Sequence, residues 1–157
     1  LHTAYRRQRQ MCIRDSAGAA ADPNCGNKRS LENRMRKKKE AGAGFIQTQM
    51  VMEKENLIEF CEKISKPLEI PVIAGVFLLK SYKNALFINK YVPGANIPKN
   101  ILNRLKDAKE PLQEGIKIAA EQAHDFMNIA NGVHLMAVKA EHLIPEIIEK
   151  ANLSLEY

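Results

Sequence analysis

Apolar and polar positions along this chain follow two periods in turn, one of about two residues and one of about 3.6. Phe45 to Val51 reads as a strand, and Ile70 to Phe77 is a nearly continuous apolar run. Runs of that kind are buried on both faces in parallel sheets. Val133 to Val138 is a further strand, and the small-residue run Ala17 to Ala21, ended by Asp22-Pro23-Asn24, is the weakest of the four. Helical spacing fills the intervals. Ser30 caps a helix through Ala41 that Gly42 closes, and Leu57, Ile58, Cys61 and Ile64 share one face of a second that Pro67 ends.

Ser81 caps a third helix containing Ala85 and Leu86 and reaching Lys90. Pro98 takes the first helical position ahead of Ile101, Leu102 and Leu105. The longest helix runs from Glu110 to Ala130, with apolar positions 112, 116, 119, 120, 123, 127 and 130 on the helical period. The last one lines up Leu143, Ile144, Ile147, Ile148 and Ala151. The order is β-α-β-α-β-α-α-α-β-α, which calls for an α/β fold with parallel strands joined by right-handed crossovers. Four such strands fit a small open sheet, or half of an eight-stranded barrel whose usual length is about 250 residues. Periodicity does not choose between them.

Composition narrows the class. The 157 residues are 45% apolar, 27% charged and 6% aromatic, which suits one globular domain and excludes a disordered chain. No apolar run reaches the roughly 18 residues of a membrane span. The net charge of +6 is local: residues 1–40 hold 11 Lys/Arg against 4 Asp/Glu, whereas residues 41–157 hold 13 against 14. Cys12, Cys25 and Cys61 are odd in number and widely spaced, which fits neither a disulfide framework nor a zinc site. With no apolar segment after Arg6, Arg7 and Arg9, no secretory signal is read, and the cytoplasm is the expected compartment.

Met11-Cys12-Ile13-Arg14-Asp15-Ser16 looks like the in-frame translation of a transposon-library adapter, preceded by the Arg- and Gln-rich stretch usual beside it. Residues 1–16 are therefore expected to be an artefact and 17–157 the protein proper. Without them the net charge falls to +3.

Four segments then recur in the order of one family: Glu40-Ala-Gly-Ala-Gly-Phe-Ile-Gln-Thr-Gln49, Ile70-Pro-Val-Ile-Ala-Gly-Val-Phe77, Gly115-Ile-Lys-Ile-Ala-Ala120 and Gly132-Val-His-Leu-Met136. Together they resemble the C-terminal half of methylenetetrahydrofolate reductase. Gly18-Ala-Ala-Ala-Asp-Pro23 is similar to the family's Gly-Ala-Ala-x-Asn-Pro, with Asp22 in place of Asn. The resemblance implies strands five to eight of a (β/α)8 barrel, and a reductase that passes a hydride from NAD(P)H through FAD to 5,10-methylenetetrahydrofolate. It also implies a missing N-terminal half that carries the general acid, so this chain is not expected to catalyse alone.

Candidate site residues follow. Gln49 shares a strand face with Phe45 and Gln47 and lies near the C-terminal end, where barrel active sites sit. Its amide can both donate and accept, and the matching glutamine of the family touches folate and nicotinamide. Asn84, on the first turn after Ser81, matches a second substrate position. Lys38, Lys37 and Arg34 match positions facing the adenylate and diphosphate of FAD, where a cation offsets phosphate charge. Leu31 stands where the family can carry an acid, and Lys139-Ala140-Glu141 departs from the Leu-Asn-Arg of some members, which removes an arginine for the folate tail.

Gly75 reads as structural, letting a ring or a backbone approach the barrel mouth. His134 reads as a hydrogen-bonded, buried core residue rather than a ligand, no metal site is expected, and Cys25 and Cys61 read as inert. No residue is assigned as general acid, since Glu141 and Glu146 lie beyond the last strand. Partners implied are the folate substrate and NAD(P)H, with a homo-oligomer or a partner subunit, and neither nucleic acid nor membrane. Two other readings stand beside this one. The chain could be a complete small α/β module binding nucleic acid through its basic arm, or a reductase module fused to a methyltransferase.

Overall fold

The computed structural model describes residues 16–153, so all of the adapter-like stretch except Ser16 lies outside the described residues. Four parallel strands form one sheet in the order β1-β2-β3-β4: β1 (Ala17–Ala21), β2 (Ala43–Met50), β3 (Val72–Phe77) and β4 (Gly132–Met136). Each strand pairs with its neighbour in sequence, so the chain winds in one direction across the sheet. The helices are α1 (Lys28–Glu40), α2 (Lys54–Phe60), α3 (Tyr82–Tyr91), α4 (Lys99–Asp107), α5 (Pro111–Met127) and α6 (Ile144–Lys150). The expected element order holds throughout.

The two faces of the sheet differ. Ala21, Ile46, Val72, Ala74 and Val76 point to one face and merge with Leu31, Met35, Leu57, Phe60, Ile116, Ala123 and Phe126 from the helices. That is the main core. On the other face Phe45, Gln47, Ile73 and Phe77 stay half-buried, and Gly18 and Ala20 are exposed. A second core gathers Met50, Leu79, Ala85, Ile88, Ile101, Leu105 and Ile118, with α3 and α4 packed beside the C-terminal ends of β2 and β3.

Several local expectations shift. Asn27, not Ser30, caps α1, because its side chain accepts the Ser30 N–H at 2.9 Å. Gly42, at φ +95°, takes the left-handed turn into β2. Pro98 sits one residue before α4 rather than inside it. After Phe60 the second helix widens into a π turn over Cys61–Ser65, which buries Cys61 and Ile64 but leaves Ile58 41% exposed.

In α5 the buried stripe differs from the simple period: Leu112 and Met127 are 39% and 43% exposed, while Ile118 and Phe126 are buried. The reason is that α5 wedges between two cores, with Ile116, Ala123 and Phe126 in the first and Ile118 in the second. Gly115 lets this helix seat, since a Cβ there would lie 1.8 Å from the Leu79 carbonyl oxygen.

Candidate active site

A β-bulge shapes the upper end of β2. Gln47 pairs with Ile73 but Met50 pairs with Gly75, so β2 spends one extra residue over this interval. The bulge brings the Thr48 and Gln49 carbonyl oxygens to 2.9 Å from where a Cβ on Gly75 would sit. The Gly75 N–H in turn donates to Thr48 Oγ1 at 2.9 Å. Gly75 therefore admits a backbone, one of the two approaches expected for it.

A cavity of about 890 Å³ opens along the free edge of β1. Gly18 to Asp22 supply its wall, with Phe45, Gln47 and Gln49 of β2 on one side and Arg34 and Lys38 of α1 on the other. The alanines and glycine of β1 keep that wall low. Arg34 and Lys38 are four residues apart and so share one side of α1. Lys38 Nζ donates to the Ala20 carbonyl, and Arg34 donates to Cys25 Sγ at 3.5 Å.

The structure thus gathers three of the five candidates. Lys37 is exposed and lines a shallow surface with Arg29 and Asn33 that shares Arg34 with the cavity, one residue around the helix from Lys38. Asn84 is absent from the cavity lining. Its Oδ1 accepts the Lys80 N–H at 3.2 Å and its own N–H donates to Ser81 Oγ at 3.1 Å, so here it shapes the start of α3.

Gln49 itself is held at both ends. Its Oε1 accepts the Met50 N–H at 3.0 Å and its Nε2 donates to the Pro93 carbonyl at 3.4 Å. Pro93 and Gly94 form the turn after α3, with Gly94 at φ +80°. Asn24 ties that turn to the sheet, because its Nδ2 donates to the Met50 carbonyl at 3.1 Å and to the Gly94 carbonyl at 3.0 Å. Sequence reading took Asp22-Pro23-Asn24 only as a loop signal. Nothing local marked Asn24 as the residue joining two loops at the cavity mouth.

His134 corrects one expectation and meets another. It is hydrogen-bonded, with Nδ1 2.7 Å from Gln47 Nε2, but it is half-buried on the open face rather than enclosed in the core. Burial pushes the Cys61 thiol up, as suits an inert cysteine. Glu141 is drawn below the usual carboxylate range by backbone amides, its own foremost and then that of Lys139, whose N–H lies 3.0 Å from Oε1.

The family profile described as methylenetetrahydrofolate reductase matches residues 7–152. The chain belongs to the methylenetetrahydrofolate reductase family.

Methylenetetrahydrofolate reductase 1 of Schizosaccharomyces pombe is 27% identical over 124 residues, covering 74% of this chain and 20% of its own length. Methylenetetrahydrofolate reductase 2 of Saccharomyces cerevisiae is 27% identical over 139 residues, covering 83% of this chain and 23% of its own. The chain therefore spans about a fifth of these family members. A solved structure from Clostridium thermocellum, a protein that binds two copies of 5-methyl-5,6,7,8-tetrahydrofolic acid, superposes with a TM-score of 0.68. At 20% identity over 96% of this chain and 57% of that one, this likeness concerns the fold. Among the described residues, no helix is long and apolar enough to cross a membrane.

Proposed function

We propose that this chain furnishes four consecutive strands of a (β/α)8 reductase barrel and the part of its active site that holds folate and the phosphates of FAD. The carrying observation is the one-directional parallel sheet with helices on one face and a half-open polar face on the other. In a barrel of this kind the helices ring the outside and the other face points inward, with the active site at the C-terminal ends of the strands. Gln49 stands at such an end. Among the described residues the outer edges of β1 and β4 have no strand partner, and these are where the remaining strands of a barrel, or a second subunit, would pair.

Arg34 and Lys38 fit a diphosphate, being two cations on one side of α1 beside a wall of small residues. Asp22, also at this rim, suits a ribose hydroxyl. When bound, FAD supplies the hydride relay between NAD(P)H and the folate. The chain's own residues bind and orient. Gln49, by giving up its long contact with the Pro93 carbonyl, would meet the pterin or the nicotinamide amide, and Lys38 and Arg34 would hold the phosphates at the rim. Asn84 would need to release the Lys80 amide before it could reach a ligand. Activity belongs to the assembled barrel in the cytoplasm, with the general acid supplied from outside these residues.

Calorimetric titration of the chain with 5-methyltetrahydrofolate and with FAD tests the reading. Gln49→Ala should weaken folate binding about tenfold, the worth of one good hydrogen bond at ~1.4 kcal/mol. Lys38→Ala should weaken FAD binding and leave folate unchanged. Equal affinities in all three proteins would refute the assignment.

A further inference from the structure

We infer that Gln47 and His134 form a two-residue polar floor that recognises the lactam edge, the adjacent N–H and C=O, of a ring lying on the open face. The inference rests on the folate and flavin reading of that face and adds which edge of the ring the chain holds.

Gln47 belongs to β2 and His134 to β4, with β3 between them. Two strand spacings across the sheet and an offset of two residues along it separate their backbones by about 11.5 Å on a flat sheet. Their side chains nevertheless meet at 2.7 Å. Between them His134 is in register with Gly75, the one position of β3 without a side chain on this face. The bridge therefore runs obliquely across β3, from the level of Ile73 to that of Gly75.

The chemistry of the bridge leaves two groups over. With the Gln47 amide nitrogen as the donor, the bridge is made by the tautomer in which His134 Nδ1 accepts and Nε2 carries the ring proton. Gln47 Oε1 and His134 Nε2–H then have no partner among the described residues. Neither is a buried orphan, because the only buried side-chain atom without a partner among the described residues is Gln122 Oε1. Both are therefore open to solvent. Gln47 lines the 890 Å³ cavity, two residues below Gln49 on the same strand. One acceptor and one donor, held rigid by their mutual hydrogen bond, complement a ring N–H beside a ring C=O. They do not complement a phosphate or a hydrocarbon. Pterin and flavin rings both carry this edge.

Nitrogen NMR of the chain labelled on histidine and glutamine tests the floor, with 5-methyltetrahydrofolate and riboflavin as separate probes. A shift of the His134 Nε2 signal by either probe supports it, and the probe with the larger shift names the ring. Riboflavin methylated at its lactam nitrogen should bind at least about fivefold more weakly, and His134→Leu should lose a similar factor, the worth of one hydrogen bond. His134→Gln, which keeps a donor at similar reach, should retain affinity within about twofold. The methylated analogue keeps the test decisive where the leucine variant fails to fold. If the probes move Gln49 signals while His134 stays silent, or the methylated flavin binds as tightly as riboflavin, the floor is overturned and the proposed function stands. If no probe moves any signal, both fall.

Discussion

On the covered face of the sheet Ile46, Val72, Ala74 and Val76 are at most 1% exposed, whereas Phe45, Gln47, Ile73 and Phe77 on the opposite face remain half-buried. The covered face is apolar and closed by four helices. The open face mixes two aromatics, two glutamines, a histidine and glycine. Gln47 and His134 meet across the strands, while Gln49 is held by its neighbour Met50 and by the Pro93 turn. A sheet that buries one face completely and keeps polar side chains on the other has finished its packing on the first side and is prepared for an occupant on the second. The contrast teaches that alternate residues of the same strands carry burial, and under the proposed function the residues between them carry recognition.

The largest test of that division compares two phenylalanines. Phe126, 1% exposed in the main core, should cost about 3–5 kcal/mol when cut to alanine. Phe45→Ala on the open face should cost no more than about half a full burial, ~1.5 kcal/mol. Urea unfolding of both variants measures this, and equal losses would erase the distinction between the faces.

A smaller effect separates two glycines that share the open face. Gly75→Ala places a Cβ 2.9 Å from two backbone oxygens of β2, and overpacking of this kind costs about 1–3 kcal/mol. Gly132→Ala meets nothing within 4 Å and should change stability by no more than about 0.5 kcal/mol. Thermal unfolding ranks them, and the reverse order would mean that β2 and β3 do not approach as described.

The smallest effect is electrostatic and lies on the helical side. Glu59 is held below the usual carboxylate range by its hydrogen bond to Lys63 at 2.9 Å and by Lys28 at 3.3 Å, which ties α2 to the start of α1. A depressed carboxylate stabilises fully above its unfolded value of 4.5 and loses that contribution as pH falls through the lower folded value. Denaturation midpoints below pH 4.5 should therefore fall less steeply in Glu59→Gln than in the parent. Parallel slopes would show that this surface pair contributes nothing measurable, as many such pairs do.

Much of the fold was legible in the chain. Strand and helix order, the Ser81 cap and the turn at Gly42 follow from local periodicity and backbone preference, which depend on residues a few positions apart. Gln49 could be placed near a strand end for the same reason. The apolar stripe of α5 could not be placed correctly, because one helix serves two cores and its buried positions answer to both. Asn24 and Pro93 were invisible as partners of the site, since 26 and 44 residues separate them from the strand end they hold.

By itself, the sequence determined the period of each segment, the family resemblance and the charge on α1. Tertiary structure decided which lysine of that helix faces the cavity, because neighbouring residues on a helix diverge by about 100°. It decided also that Gln47 of β2 reaches His134 of β4 across β3, and that Asn24 ties the turn at Gly94 to the end of β2. Such contacts depend on strand order and register, and those exist only once distant segments have paired and the sheet has acquired two faces.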